Sequence, residues 1–199
     1  MRAVLTSVSE GALRERRARG LDHHDEMWEG DLHMVPAPVW DHQDIVDNLG
    51  DFLRDHGRRQ GLGVVRSGVS VHDPRDPDNS CRIPDLSYVA AGHASVIRKR
   101  GIVGPADAVI EVRSPDDETY EKFPFYARLR VPEIVVVHRD SRKPEVYRLA
   151  GKQYVAVAPA GNGWVTAEVL RIRLRLRTVR KRAMIELRSL LDPRHRASI

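Results

Sequence analysis

A glutamate inside an apolar run is the first residue that needs a chemical explanation. Glu111 sits in Ala108-Val109-Ile110-Glu111-Val112, whose other members read as a buried strand. An unpaired carboxylate there costs on the order of several kcal/mol. A metal ion, a neighbouring cation or a raised pKa has to compensate; an ordinary salt bridge at a strand end is the plainer alternative. Asp85 is the second candidate. It opens Pro84-Asp85-Leu86-Ser87-Tyr88-Val89, and a turn carboxylate capping amides after Pro84 is its simpler reading. Lys122 is the third. It stands at the start of the helix carrying Phe125, Tyr126 and Leu129, where a cation faces the positive end of the helix dipole. A nearby carboxylate or phosphate resolves that conflict, and simple solvent exposure is the alternative. Arg113, two residues past Glu111, projects to the same strand face and is a second cation for that carboxylate or for phosphate. His42 shares a helical stripe with Ile45, Val46 and Leu49 and reads first as an inward-facing core histidine.

These residues need elements to hold them. Met27 to Val35 reads as strand, glycine turn, strand, closed by Pro36 and Pro38. Residues 41–60 form an amphipathic helix on Ile45, Val46, Leu49, Phe52 and Leu53, with Asp41 as N-cap and Gly57 and Gly61 at its end. A strand at 62–72 is followed by a loop of turn formers at 73–80. Strands at 84–91 and 106–114 flank a basic linker at 92–104. Residues 116–130 hold a loop and then a helix with Pro124 in its first turn. Ile134 to Val137 reads as a central strand buried on both faces. Strands at 145–149 and 153–158 turn over Ala150-Gly151-Lys152. Further strand at 164–177 precedes a short closing helix at 180–191. The order predicts a mixed α/β domain around one sheet, with a β-rich C-terminal part. It spans 21–199 behind a flexible N-terminal segment at 1–20.

Charge adds a direction. The 199 residues carry a net charge of +5, but residues 171–199 hold ten arginines and lysines against only Glu186 and Asp192. That end therefore carries +8 and the remaining 170 residues −3. A basic end suggests a polyanion partner. Arg171, Arg173, Arg175 and Arg177 alternate with apolar residues, so one strand face presents an arginine row. It could track phosphates or simply protect an edge strand from aggregation. Cys81 is the only cysteine, so no intrachain disulfide forms. No apolar run is long enough to span a bilayer, and the first residues lack a secretory pattern. Cytoplasm is the expected location.

Pro84-Asp85, Ile110-Glu111-Val112-Arg113-Ser114-Pro115 and Glu121-Lys122-Phe123-Pro124-Phe125-Tyr126-Ala127 resemble the PD-(D/E)XK restriction-endonuclease-like superfamily. Within it, the chain is similar to the bacterial Uma-two family of endonucleases. Asp25-Glu26-Met27-Trp28-Glu29-Gly30, His33-Met34-Val35-Pro36-Ala37-Pro38, His42-Gln43 and Arg130-Val131-Pro132-Glu133 fit the same family. The resemblance covers nearly the whole chain. It implies a restriction-endonuclease-like core, a central mixed β-sheet flanked by helices, and Mg²⁺-dependent hydrolysis of DNA phosphodiester bonds, with Mn²⁺ able to substitute. It implies that Asp85 and Glu111 hold the metal and that Lys122, moved from the strand to the following helix, supplies the catalytic cation. Arg113, His42 and Glu29 are accessory candidates. Arg113 departs from the family, which has an apolar residue there; Ile134-Val135 replaces an aromatic pair, a packing change.

The residue chemistry agrees with that resemblance. Two carboxylates on adjacent strands suit Mg²⁺, which keeps waters and takes phosphate oxygens. A buried lysine can shift its pKa and orient or deprotonate a water; arginine cannot. A homodimer fits an enzyme that cuts two strands. The competing reading is a catalytically silent nucleic-acid-binding module using the basic C-terminal segment. A zinc hydrolase on His23, His24 and Asp25 lacks good ligand spacing, and Cys81 has no evident histidine partner for nucleophilic chemistry.

Overall fold

Two β-branched runs, at Ala108–Arg113 and Glu133–His138, pair in parallel and form the centre of the computed structural model, which describes residues 3–199. In chain order the elements are β1 (Ala3–Leu5), α1 (Glu10–Ala18), β2 (Asp25–Trp28), β3 (Asp31–Met34), α2 (Trp40–Gln60), β4 (Gly63–Ser67), β5 (Val71–His72), β6 (Cys81–Arg82) and β7 (Leu86–Ala90). A 3₁₀ turn at Ala91–Val96 leads to β8 (Ile97–Arg98), β9 (Gly101–Val103) and β10 (Ala108–Arg113). A second 3₁₀ turn, Tyr120–Lys122, runs into α3 (Phe123–Leu129). Then come β11 (Glu133–His138), β12 (Pro144–Ala150), β13 (Gln153–Ala156), β14 (Val165–Ala167), β15 (Ile172–Val179), β16 (Arg182–Ser189) and β17 (Arg196–Ser198).

The strands form three sheets where one was expected. The central one has the order β13-β12-β11-β10-β7-β4. Only β10 and β11 run parallel in it, so the sheet is mixed. Parallel neighbours need a crossover, and α3 is that crossover. On one sheet face, Leu86, Tyr88, Ile110, Val112, Val135 and Val137 pack with α2 and the β14-β15-β16-β17 sheet. Burying Ile45, Val46, Leu49, Phe52 and Leu53 of α2 there contributes on the order of 10 kcal/mol before ordering entropy is subtracted. On the other face, Val109, Ile134 and Val136 meet Phe125, Tyr126 and Leu129 of α3. Period-two alternation along β10 thus points Glu111, like Val109, toward α3.

Several boundaries differ from the sequence reading. The strand expected at 62–72 breaks at Gly68, whose φ is +60°. Its first part joins the central sheet, and its second joins a seven-stranded sheet of order β1-β3-β2-β6-β5-β9-β8. The linker at 92–104 contributes β8 and β9 to that sheet. The segment at 180–191 is strand β16, not a helix. Ile185 and Leu187 face the core while Arg182, Glu186 and Arg188 alternate with them, a period of two. Arg180 and Lys181 make the hairpin turn with φ of 49° and 67°, the conformation that a tight two-residue hairpin demands. The N-cap of α2 is Val39, and Asp41 lies in the first turn. The N-terminal segment carries β1 and α1 over its described residues, and Arg16 ties α1 to Asp25 at 2.7 Å; residues 1 and 2 lie outside the described residues. No described helix is long and apolar enough to cross a membrane.

Candidate active site

The β10–α3–β11 crossover sets the geometry. Leaving β10, the chain turns over 114–122 and re-enters as α3 across the same sheet face. Lys122, at the start of α3, therefore returns beside Glu111. Its Nζ lies 3.4 Å from Glu111 Oε2. One turn into α3, the Tyr126 hydroxyl donates to Glu111 Oε1 at 2.8 Å. Glu111 is only 3 % exposed. Burial pushes its carboxyl up to about 8, and the charges of Asp85 and Glu26 add to that; Lys122 and the Tyr126 hydroxyl oppose it.

Asp85 arrives from the neighbouring strand. Antiparallel pairing of β7 with β10 ends at Leu86↔Ile110. The Asp85 side chain extends the pairing by one step, because Oδ2 accepts from the Val112 amide at 2.6 Å. The amide it accepts from is thus on β10, not in the turn after Pro84. Its Oδ1 meets His42 Nε2 at 3.0 Å, and His42 Nδ1 lies 3.5 Å from Ser114 Oγ. His42 is thus not a core histidine. The first turn of α2 projects past the packed stripe and aims the ring at Asp85.

The residue that sequence reasoning missed is Glu26, on β2, with 1 % exposure. Its Oε1 lies 2.9 Å from Lys122 Nζ and accepts from the Ile83 amide at 2.8 Å. Its Oε2 accepts from the Trp28 indole at 2.7 Å. Glu26 lies in the Asp25–Gly30 segment that resembles the family, one residue before the strand expected from Met27, and β2 begins earlier than that expectation, at Asp25. Carboxylates surround Lys122, and their charges hold its ammonium well above the usual lysine range despite burial. In this environment the ammonium form is favoured.

Two accessory candidates lie elsewhere. Glu29 occupies the β2–β3 turn with φ 52° and pairs with Arg128 and with Arg82, the latter at 3.1 Å. It fastens the hairpin to α3 and does not line the cavity. Arg113 stays on the Glu111 face of β10, but its guanidinium sits over the Tyr120 ring at 5.2 Å, with Nε buried and unpartnered. The cation paired with Glu111 is Lys122. Of the arginine row, Arg171 falls in the turn before β15 with φ 56°. Arg173 and Arg175 stack over Trp164 at 4.7 and 4.6 Å, and Arg175 pairs with buried Glu186 at 2.6 Å. Arg177 lies 3.8 Å from the same Glu186 carboxylate. Much of that row is therefore occupied within the chain.

Glu26, His42, Asp85, Glu111 and Lys122 line one cavity of about 740 Å³. His24 reaches it; His23 lines a separate cavity of about 340 Å³ with Cys81, and burial raises the Cys81 thiol. Among the described residues no group of three or more His, Cys, Asp or Glu side chains is placed to hold a metal ion, and His23 and His24 line different cavities.

The family model Uma2, described as "Putative restriction endonuclease", matches residues 14–178. No curated protein matches the chain. Among solved structures, the crystal structure of a "putative nuclease belonging to DUF820" from Anabaena variabilis is similar, with a TM-score of 0.58 and 16% identity. The likeness covers 73% of this chain and 82% of that one. At that identity it shows a shared fold: the mixed α/β, restriction-endonuclease-like architecture. With the family model spanning most of its length, the chain belongs to the Uma2 family of restriction-endonuclease-like proteins.

Proposed function

We propose that this chain is a metal-dependent endonuclease that hydrolyses DNA phosphodiester bonds in the cavity between β7, β10 and α3. One observation carries the reading: the site holds more buried carboxylate than it has cation to neutralise. Lys122 faces Glu26 at 2.9 Å and Glu111 at 3.4 Å, with Asp85 adding charge to both Glu111 and Lys122. A divalent cation is the chemistry that such an excess fits.

The donors are hard oxygens, and a pair of carboxylates suits Mg²⁺, which binds through one or two carboxylates plus waters and phosphate oxygens. Asp85 and Glu111 are the residues that would hold it, and Mn²⁺ accepts the same donors. Bound there, the ion supplies charge neutralisation at phosphate and a more acidic water. The chain's own residues do the rest. His42 fixes the Asp85 carboxylate through Oδ1, while the Val112 amide fixes Oδ2. Glu26 holds the Lys122 ammonium at the wall of the cavity. Lys122, kept protonated, attracts and orients a phosphate oxygen. Arg139 lines the same cavity and adds a second permanent cation for phosphate. The opposing reading, a binding module that uses the arginine row, is weakened by the hold of Trp164 and Glu186 on those side chains.

The test is plasmid cleavage with Mg²⁺, Mn²⁺ or EDTA, comparing the wild type with Asp85→Ala. The expected result is metal-dependent nicking by the wild type alone. Equal cleavage by Asp85→Ala would remove this cavity from the chemistry.

A further inference from the structure

The rim of this cavity has a feature that the fold does not use. Val35, Pro36, Ala37, Pro38 and Val39 line one side of the mouth. Trp40 follows, between the cavity-lining residues Val39 and His42, and begins α2 with 85 % of its surface exposed. The next most exposed large apolar residue among those described, Val155, stands at 57 %. The other two tryptophans are engaged: Trp28 hydrogen-bonds Glu26 under the Arg82 guanidinium, and Trp164 is buried beneath arginines. Packing of α2 is complete without Trp40, through Ile45, Val46, Leu49, Phe52 and Leu53. Pro36 and Pro38 stiffen the approach, because each fixes its own φ and restrains the residue before it. The indole is thus an exposed flat apolar plate on a stiffened segment, one residue beyond Val39 of the cavity lining.

We propose that Trp40 is a stacking platform for an unpaired base of the strand whose phosphodiester lies in the cavity, so that the preferred substrate is single-stranded or locally unpaired nucleic acid. This rests on the nuclease reading. A nucleotide divides as the site does: a charged backbone that suits Lys122 and Arg139 inside, and a flat base that suits an indole outside. Aromatic stacking tolerates any base, since every base presents a π face. Inside a duplex those faces are already stacked on their neighbours, so a base reaches Trp40 only when it is unpaired or turned out. Val35 and Val39 of the cavity lining are exposed as well, adding apolar surface in the same segment. A second copy of the chain is the other occupant that such a rim could take, and the experiment separates the two.

Full-length wild type, Trp40→Ala and Trp40→Phe are compared for binding a labelled single-stranded oligodeoxynucleotide and the same sequence as a duplex, with Ca²⁺ in place of Mg²⁺. The wild type is expected to prefer the single strand. Trp40→Ala should lose roughly ten- to a hundredfold in single-strand affinity, with duplex affinity unchanged, and Trp40→Phe should lose less. The single strand should quench the fluorescence of the wild type, and the quenching should vanish in Trp40→Ala, which keeps Trp28 and Trp164. Unchanged single-strand affinity in Trp40→Ala overturns the proposal. So does a wild-type dimer that becomes monomeric in Trp40→Ala without loss of single-strand affinity, which assigns the rim to a second copy. Metal-dependent plasmid cleavage together with either result leaves the nuclease reading standing; a wild type that neither binds nor cleaves nucleic acid sinks both.

Discussion

Replacing Glu111 with glutamine separates what the buried carboxylate does to stability from what it does for function. Burial carries its carboxyl from about 4.5 in the open chain to about 8 in the fold. That difference corresponds to roughly 5 kcal/mol. The folded state holds the proton more tightly. The contribution of Glu111 to stability is therefore fully present below about pH 4.5 and is lost as pH rises through about 8. Glutamine does not titrate and keeps an acceptor for the Tyr126 hydroxyl. In EDTA, the stability of Glu111→Gln relative to the wild type should climb between about pH 5 and 8 and then level off. For a chain of this length, 5 kcal/mol corresponds to roughly 10–20 °C in Tm. Thermal unfolding followed by circular dichroism from pH 5 to 9 measures it, and pH effects common to both proteins cancel in the difference. Added Mg²⁺ should raise the Tm of the wild type and leave Glu111→Gln unmoved. A Tm difference that does not change with pH would refute the account of Glu111 as a surplus buried carboxylate.

Other substitutions probe the rest of the site and its supports. Lys122→Ala should lower the cleavage rate far more than Arg113→Ala, because Lys122 faces the carboxylates and Arg113 lies over Tyr120; steady-state kinetics showing the reverse order would reassign the cation. Glu133 accepts from the amides of Glu168, Val169 and Leu170, so Glu133→Ala should cost about 3 kcal/mol or more in urea unfolding by leaving them unmade; a loss below about 1 kcal/mol would show that water replaces the carboxylate. Arg175→Ala should lower Tm while leaving the salt dependence of DNA binding unchanged, since Arg175 is held by Trp164 and Glu186; a salt slope smaller by about 1 would place it on phosphate.

The parts of this site that were legible in the sequence are those where residue type conflicts with its local pattern. Glu111 interrupts a strand of β-branched neighbours, and Lys122 sits at the wrong end of a helix dipole. Each conflict is resolved by the other residue, at 3.4 Å. Glu26 carried no such conflict, because it lies just outside the strand read from Met27 onward. It follows another acid, Asp25, and its partners, the Ile83 amide and Lys122, lie far along the chain. His42 was read on the correct helix face. What the stripe could not reveal is that the first turn of α2 overhangs the core and reaches Asp85. The loss of the closing helix at 180–191 has a local cause: short alternating apolar runs fit either element, and the β15–β16 turn uses Arg180 and Lys181 instead of the Asn-Gly pair that marks such hairpins. The split at Gly68 depends on which sheet each half of the strand finds to pair with, and no nearby residue encodes that.

In the proposed mechanism Asp85 and Glu111 share one divalent ion. The most direct measurement is a crystal of the wild type soaked in Mn²⁺ and recorded at the manganese absorption edge. The expected result is an anomalous peak in the cavity, within direct coordination distance of an Asp85 and a Glu111 carboxylate oxygen, that is absent from Asp85→Ala crystals. A protein that cleaves DNA with Mn²⁺ in solution, yet places that peak away from both carboxylates, would contradict it.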